Sequence, residues 1–308
     1  MKTKIVIVGI GGVGGYYGGL LAHKYANNPE IEISFVARGE HLKQIKEKGL
    51  TVITEIGSFI AKPTLATDDV AEIGKADYII LCTKSYDLQQ TIEQIKPCIA
   101  ENTVILPLLN GADISERIEA LLPNIEVWKG CVYIVGRLNA PGVVESSGGL
   151  HDLFFGMENV SSERLMFLEK LMFDAGIKVV RSEKINKIIW RKFIFISTTA
   201  SLTSYFNVGF RDLLTDEKRK QITTQFLHEV IGIAKAEGVV YDENIIETII
   251  GHIERLPFET TSSMHSDYKA NRQTELNTLT KVVIDLATKH GIPTPIYKQV
   301  YEALNSKK

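Results

Sequence analysis

Near the N-terminus an apolar run of β-formers, Lys4–Val8, passes directly into Gly9-Ile10-Gly11-Gly12-Val13-Gly14 and then into a helical pattern. A bare GxGxxG constrains little. Placed after a buried strand and before a helix, with a second strand following, it predicts a parallel α/β sheet whose first turn holds a dinucleotide pyrophosphate. Gly9 permits the tight turn, Gly11 lets backbone approach the phosphates, and Gly14 lets the helix pack close. Gly12 belongs to the same cofactor loop, where the helix N-terminus offers unpaired N–H groups to an anion.

The second strand, Ile31–Val36, ends in Phe35-Val36-Ala37-Arg38. A site selecting NAD carries an acidic residue here to accept from the ribose hydroxyls. Ala37 followed by Arg38 instead suits a 2′-phosphate, so the expected cofactor is NADPH. Glu40 and His41 follow, beyond the expected position. Two more loops fall at strand C-termini, where open α/β sheets bind ligands. In Cys82-Thr83-Lys84, Lys84 reads either as a cofactor contact or as a surface charge at a helix start. In Leu109-Asn110-Gly111, Asn110 reads either as part of an ordinary turn or as an amide facing nicotinamide and substrate.

Short β-branched runs alternate with helical patterns through the first half, as in a doubly wound sheet. Ala76–Cys82 and Thr103–Leu108 read as further strands, with helices near 12–26, 86–99 and 112–122. Strands near 127–135, 143–147, 151–156 and 177–181 are expected to extend the same sheet, two of them joined by the turn Asn139-Ala140-Pro141-Gly142. After Ser182 helical periodicity takes over, at 184–205, 213–237, 242–253 and 272–290. The expected organisation is a Rossmann-type domain over 1–182 and an all-helical domain over 183–308.

The chain has 308 residues, 44% hydrophobic and 23% charged, with a net charge of −2. That length supports two domains, and the charge implies neither nucleic acid nor an anionic membrane as partner. Cys82, Cys98 and Cys131 form no CxxC and no cluster with histidine, so no metal site is expected. They read as free thiols of a cytoplasmic protein. No apolar run approaches the ~20 residues that span a bilayer.

One lysine stands on an unexpected face. At 100° per residue, Lys192 shares a side of its helix with Ile185, Ile188, Ile189, Phe195, Ile196 and Thr199, while Lys187 and Arg191 fall elsewhere. Most such lysines simply extend their ammonium to water. Held on the apolar face, the amine can instead serve as a proton donor near neutral pH, because burial disfavours the charged form. Glu275 similarly borders the inner stripe Leu276, Leu279, Val283, Leu286. The hydroxyl-rich segment Thr260–Met264 lies upstream, its hydroxyls able to bind a carboxylate or to cap a helix.

Taken together, IVGIGGVGGYYGGLL, FVAR, CTKSYD, LLNGAD, IIWRKF, SSMHSDYKANRQTE and ATKHGIPTPIY resemble the ketopantoate reductase (2-dehydropantoate 2-reductase) family over nearly the whole chain. The resemblance implies NADPH-dependent reduction of a small 2-oxo acid, 2-dehydropantoate, to (R)-pantoate, for pantothenate and coenzyme A synthesis. It implies Lys192 as general acid and Glu275 as holder of the substrate's hydroxyl end. It further implies Ser263 at the substrate carboxylate, Asn110 beside the nicotinamide, Lys84 in the cofactor loop and Arg38 at the 2′-phosphate. The pattern departs from the family where asparagines usually follow the lysine: Ile196, Ala200 and Phe210 occupy those positions, Ser201 replaces a proline, and Asn207 lies nearby. The departure leaves open a paralogue acting on another branched 2-oxo acid. A non-catalytic NADPH sensor would need only the glycine loop and Arg38, and a β-hydroxyacid or 6-phosphogluconate type of dehydrogenase fits IIWRKF and RQTE less well. Long apolar helix faces are compatible with a homodimer.

Overall fold

A computed structural model describes residues 2–306. The chain divides into two compact units, one of Met1–Leu109 with Asp113–Ile185, the other of Asn110–Ala112 with Asn186–Lys308. The change of texture after Ser182 thus lies three residues before the division, and a short internal segment joins the helical unit, which no local pattern announced.

In the first unit, β1 (Thr3–Val8), β2 (Ile31–Val36), β5 (Leu65–Thr67), β6 (Tyr78–Leu81), β7 (Val104–Pro107) and β8 (Glu126–Val127) form a parallel sheet in the order β5-β2-β1-β6-β7-β8. Strands are added first on one side of β1 and then on the other. The order therefore reverses beside β1, and the crevice beyond the carboxyl ends of β1 and β6 is where such sheets receive ligands. The strands are continuous apolar runs because both faces are covered: residues 5–8, 78–81 and 104–107 are buried throughout.

The expectation that the later strands extend this sheet is corrected. Only β8 does so. A second sheet runs β11-β10-β3-β4, from Lys178–Arg181, Val143–Gly156, Leu50–Thr54 and Gly57–Ala61, with β9 (Lys129–Ala140) paired antiparallel to β10. The reason lies in helix α1 (Gly12–Tyr25), which carries two glycine stripes. A Cβ at Gly14 would lie 2.9 Å from the Cys82 Cβ, and one at Gly18 3.1 Å from Ile7, so this stripe faces the first sheet. A Cβ at Gly15 would lie 2.5 Å from Val144, one at Gly19 2.6 Å from Val52, and one at Gly12 would overlap the Gly136 carbonyl. These three, spaced i, i+3 and i+7, present one face to the second sheet. Glycines on both sides let one helix serve two sheets at close range. Strands β3, β4 and β5 and helices α2 (Gly39–Lys48) and α5 (Glu163–Asp174) also went unread in the sequence.

The second unit is helical. Helices α6 (Ile185–Phe206), α7 (Glu217–Ala236) and α8 (Ile245–Arg255) match the expected periodic segments closely. The segment expected as one helix over 272–290 instead starts after Glu275, with a π-helical turn, Asn277–Lys281, leading into α10 (Val282–His290). Two short helices were not anticipated: α9 (Ser263–Lys269), and α11 (Pro295–Asn305), which begins with proline at its first position after the left-handed Gly291 closes α10. Phe193, Phe226, Leu227, Val283 and Tyr297 are fully buried among these helices.

Candidate active site

In the first unit the glycine loop has the geometry for a phosphate cradle. Gly9 sits at φ +89°, and a side chain there would meet Thr83. Gly11 is the N-cap of α1, no side chain caps it, and the first turn holds no acidic residue. A Cβ built on Gly11 meets nothing within 4 Å, whereas every neighbouring glycine of the loop is packed against protein. The open face at a helix N-terminus is the space an anion's oxygens need. Gly14 is a packing glycine, and so is Gly12, whose place against β9 sequence reasoning did not foresee.

Arg38 is the exposed N-cap of α2, with Ala37 buried in front of it. Glu40, two residues further on, is turned to Gln44 at 2.8 Å and Lys43 at 3.8 Å along its own helix. Lys84 occupies the N-cap position of the 3-10 turn Ser85–Asp87, three residues past the end of β6. The glycine loop, Arg38 and Lys84 thus all follow strand C-termini of one sheet, with a cation suited to a 2′-phosphate and an uncapped helix end suited to a pyrophosphate. The donor set fits a nicotinamide adenine dinucleotide.

In the second unit Lys192 is only 8% exposed, although Lys187 and Arg191 on the same helix are exposed. Its Nζ donates to the Asn110 side-chain oxygen at 2.8 Å. A buried amine requires hydrogen-bond partners, and the Asn110 amide oxygen supplies one. Glu275, 4% exposed, lies two residues before the π-helical turn, and its carbonyl accepts from Leu279 N–H at 2.9 Å. Of the two adjacent serines, Ser262 caps α9 by accepting from His265 N–H at 3.0 Å, which leaves Ser263 as the exposed first residue of the helix.

Sequence reasoning did not single out a polar chain beside this serine pair. The His265 Nδ1 lies 2.6 Å from the Thr261 hydroxyl, and Nε2 lies 2.9 Å from Asn207 Oδ1. A neutral ring satisfies both, accepting from Thr261 and donating to Asn207. Burial, and secondarily the Lys269 charge, pushes the His265 pKa down. At the departures from the family pattern, Ala200 and Phe210 are core residues, and Phe210 stands edge-on to Phe195 at 6.0 Å.

Comparison with known proteins agrees with this arrangement. The family described as ketopantoate reductase PanE/ApbA matches residues 5–159, and its C-terminal part matches residues 184–308. The uncharacterized oxidoreductase YkpB of Bacillus subtilis (strain 168) is 30% identical over 302 residues, covering 98% of this chain and 97% of its own. The crystal structure of 2-dehydropantoate 2-reductase from Porphyromonas gingivalis W83 superposes with a TM-score of 0.87 at 36% identity, over 99% of both chains. The fold is also that of a D-mandelate dehydrogenase solved with NADH and anilino(oxo)acetate, at 24% identity and TM-score 0.85, over 99% of this chain and 98% of that one. The chain belongs to the ketopantoate reductase family of oxidoreductases, with a Rossmann-type domain followed by a helical one.

Proposed function

We propose that this protein reduces 2-dehydropantoate to (R)-pantoate with NADPH, Lys192 acting as the general acid. The observation that carries the reading is the buried Lys192 ammonium bonded to Asn110. Bound NADPH supplies the hydride for the keto carbon. The electron pair of the C=O bond moves to oxygen, and Lys192 places positive charge beside that oxygen and gives it a proton. A donor that strengthens its hold as charge develops lowers the barrier rather than merely tightening substrate binding. Asn110 orients the amine, Glu275 holds the substrate's hydroxyl end, and Ser263 binds its carboxylate. In the cofactor site, Gly9, Gly11, Gly12 and Gly14 shape the pyrophosphate loop, Arg38 meets the 2′-phosphate and Lys84 serves the cofactor loop.

A second reading has its own support. Ala200 and Phe210 are packed into the core where the family's asparagines usually stand, and Ile196 is the third such replacement. Sites that lose amides for a substrate hydroxyl discriminate far less in its favour, so a branched 2-oxo acid without that hydroxyl is the alternative. Loss of NADPH absorbance against a panel of 2-oxo acids tests both. Efficient turnover of 2-dehydropantoate supports the first, preference for an unhydroxylated branched acid replaces it with the second, and no oxidation with any acid overturns the enzymatic reading.

No helix among the described residues is long and apolar enough to cross a membrane. The proposed setting is the cytoplasm, in keeping with Cys82, Cys98 and Cys131 forming no disulfide, and a homodimer is the assembly to test.

A further inference from the structure

His41 lies on the first turn of α2, three residues beyond Arg38, and its half-buried ring joins two backbone segments of the first unit. Nε2 lies 2.7 Å from the Ile10 carbonyl oxygen, and Nδ1 accepts from Gly142 N–H at 2.8 Å. The two contacts fix the tautomer. Nδ1 faces an N–H and must carry a lone pair, so the proton is on Nε2 and points at the carbonyl. Burial pushes the imidazole pKa down, which the bond to Ile10 only partly opposes, so the neutral ring is favoured.

Gly142 is a firm anchor. It sits at φ +77°, its carbonyl accepts from Thr51 N–H at 2.9 Å, and a Cβ there would lie 2.8 Å from that of Gln44 on α2. Ile10, by contrast, belongs to the loop whose next residue, Gly11, has the open face. The Ile10 carbonyl and the Gly11 N–H are the two ends of one peptide group. No peptide bond among the described residues is cis, and a planar trans peptide points its C=O and N–H in opposite directions. A ring that holds the carbonyl on one side therefore aims the Gly11 N–H to the other.

We propose that His41 is a positioning residue for the dinucleotide, clamping the Ile10–Gly11 peptide so that the Gly11 N–H is presented to the pyrophosphate. This rests on the dinucleotide reading above. His41 takes no part in the chemistry and needs no contact with the cofactor itself. Because the pyrophosphate is common to NADPH and NADH, its effect falls equally on both, unlike that of Arg38.

The two contacts can be separated by substitution. The amide of glutamine reaches where Nε2 stands and keeps the donor to Ile10, whereas that of asparagine overlays Nδ1 and keeps only the acceptor for Gly142. Calorimetric titration of NADPH and NADH into the wild type, His41→Gln, His41→Asn and His41→Ala, with Tm recorded for each, decides the matter. The expected result is about tenfold weaker binding of both cofactors by the Asn and Ala variants, the scale of one hydrogen bond's loss. His41→Gln should remain within about threefold of wild type. Should the Ala variant fail to fold, the Gln and Asn pair at comparable Tm still gives the answer. Equal binding by Gln and Asn, or a loss confined to NADPH, overturns the proposal while leaving the cofactor reading intact. A wild type that binds neither dinucleotide overturns both.

Discussion

The Lys192 ammonium donates to the side-chain oxygen of Asn110 at 2.8 Å, across 82 residues of chain and within one compact unit. The pair makes a joint prediction. Lys192→Ala should lower kcat by ~10²–10⁴ through loss of general acid catalysis, with NADPH affinity nearly unchanged. Asn110→Ala should lower kcat by about tenfold. Because the amide acts through the amine, the double variant should be no slower than Lys192→Ala alone. Steady-state kinetics on the three variants checks this, and additive losses would separate the two roles.

Arg38 should govern the choice between the two nicotinamide cofactors. It is exposed at the head of α2 and follows a buried alanine where an acid would favour NAD, and Glu40, two residues on, is turned along the helix to Gln44 and Lys43. Arg38→Ala should raise the KM for NADPH by ~10–100-fold, the scale of a charge-assisted bond to phosphate, and leave that for NADH within about threefold. Equal KM values for NADPH before and after the change would remove Arg38 from the cofactor site.

Neighbouring glycines of the loop should fail in different ways when given a methyl group. Gly11→Ala adds it to open space at an ordinary φ of −88°, so Tm should hold while NADPH binding weakens. Gly12→Ala drives it into the Gly136 backbone. Overpacking of that kind costs ~1–3 kcal/mol, more than the ~1 kcal/mol gained in helix propensity, so Tm should fall by several degrees. Thermal melts with and without NADPH distinguish the two outcomes.

Acidification should destabilise the fold before most carboxylates titrate. His41, His252 and His265 all have pKa values pushed below their ordinary 6.5, chiefly by burial. Arg255 and Arg191 add to the effect at His252, and Lys269 adds to it at His265. Each ring stays neutral in the native state and protonates more readily when the chain unfolds. The unfolded state therefore binds more protons, and stability rises with pH through this range. It should be fully present above about pH 6.5 and decline as pH falls through the depressed native values. Denaturant titrations from pH 7.5 to 5 check this; His252→Gln should flatten part of the slope, and a flat wild-type profile would contradict it.

What could be read from the sequence was local. The strand–glycine loop–helix at the N-terminus and the face of α6 that carries Lys192 are periodic signals within about twenty residues, and both correspond to the structure. The second sheet was misassigned because its central pairing joins Thr51–Ile53 to Val143–Glu145, and nothing in either segment names the other. The glycines of α1 were visible as letters, but their division into two stripes shows only when both sheets are present. His41 stood in plain view beside Arg38; its meaning depended on the Ile10 carbonyl and the turn at Gly142, one of them a hundred residues away. Glu275 was placed on a helix flank and proved to sit one residue before the helix, where a hydrophobic stripe could not distinguish the π-helical turn from a regular start.

Asn110–Ala112 groups with the helical unit, although the residues on either side, Leu109 and Asp113, group with the other. The protein is therefore not a pair of detachable modules. A chimera joining residues 183–308 to a foreign nucleotide-binding scaffold would carry Lys192 across the seam and leave Asn110 behind. Such a hybrid inherits an amine without its amide, and transplanting the reaction requires grafting the short loop after β7 together with the helices.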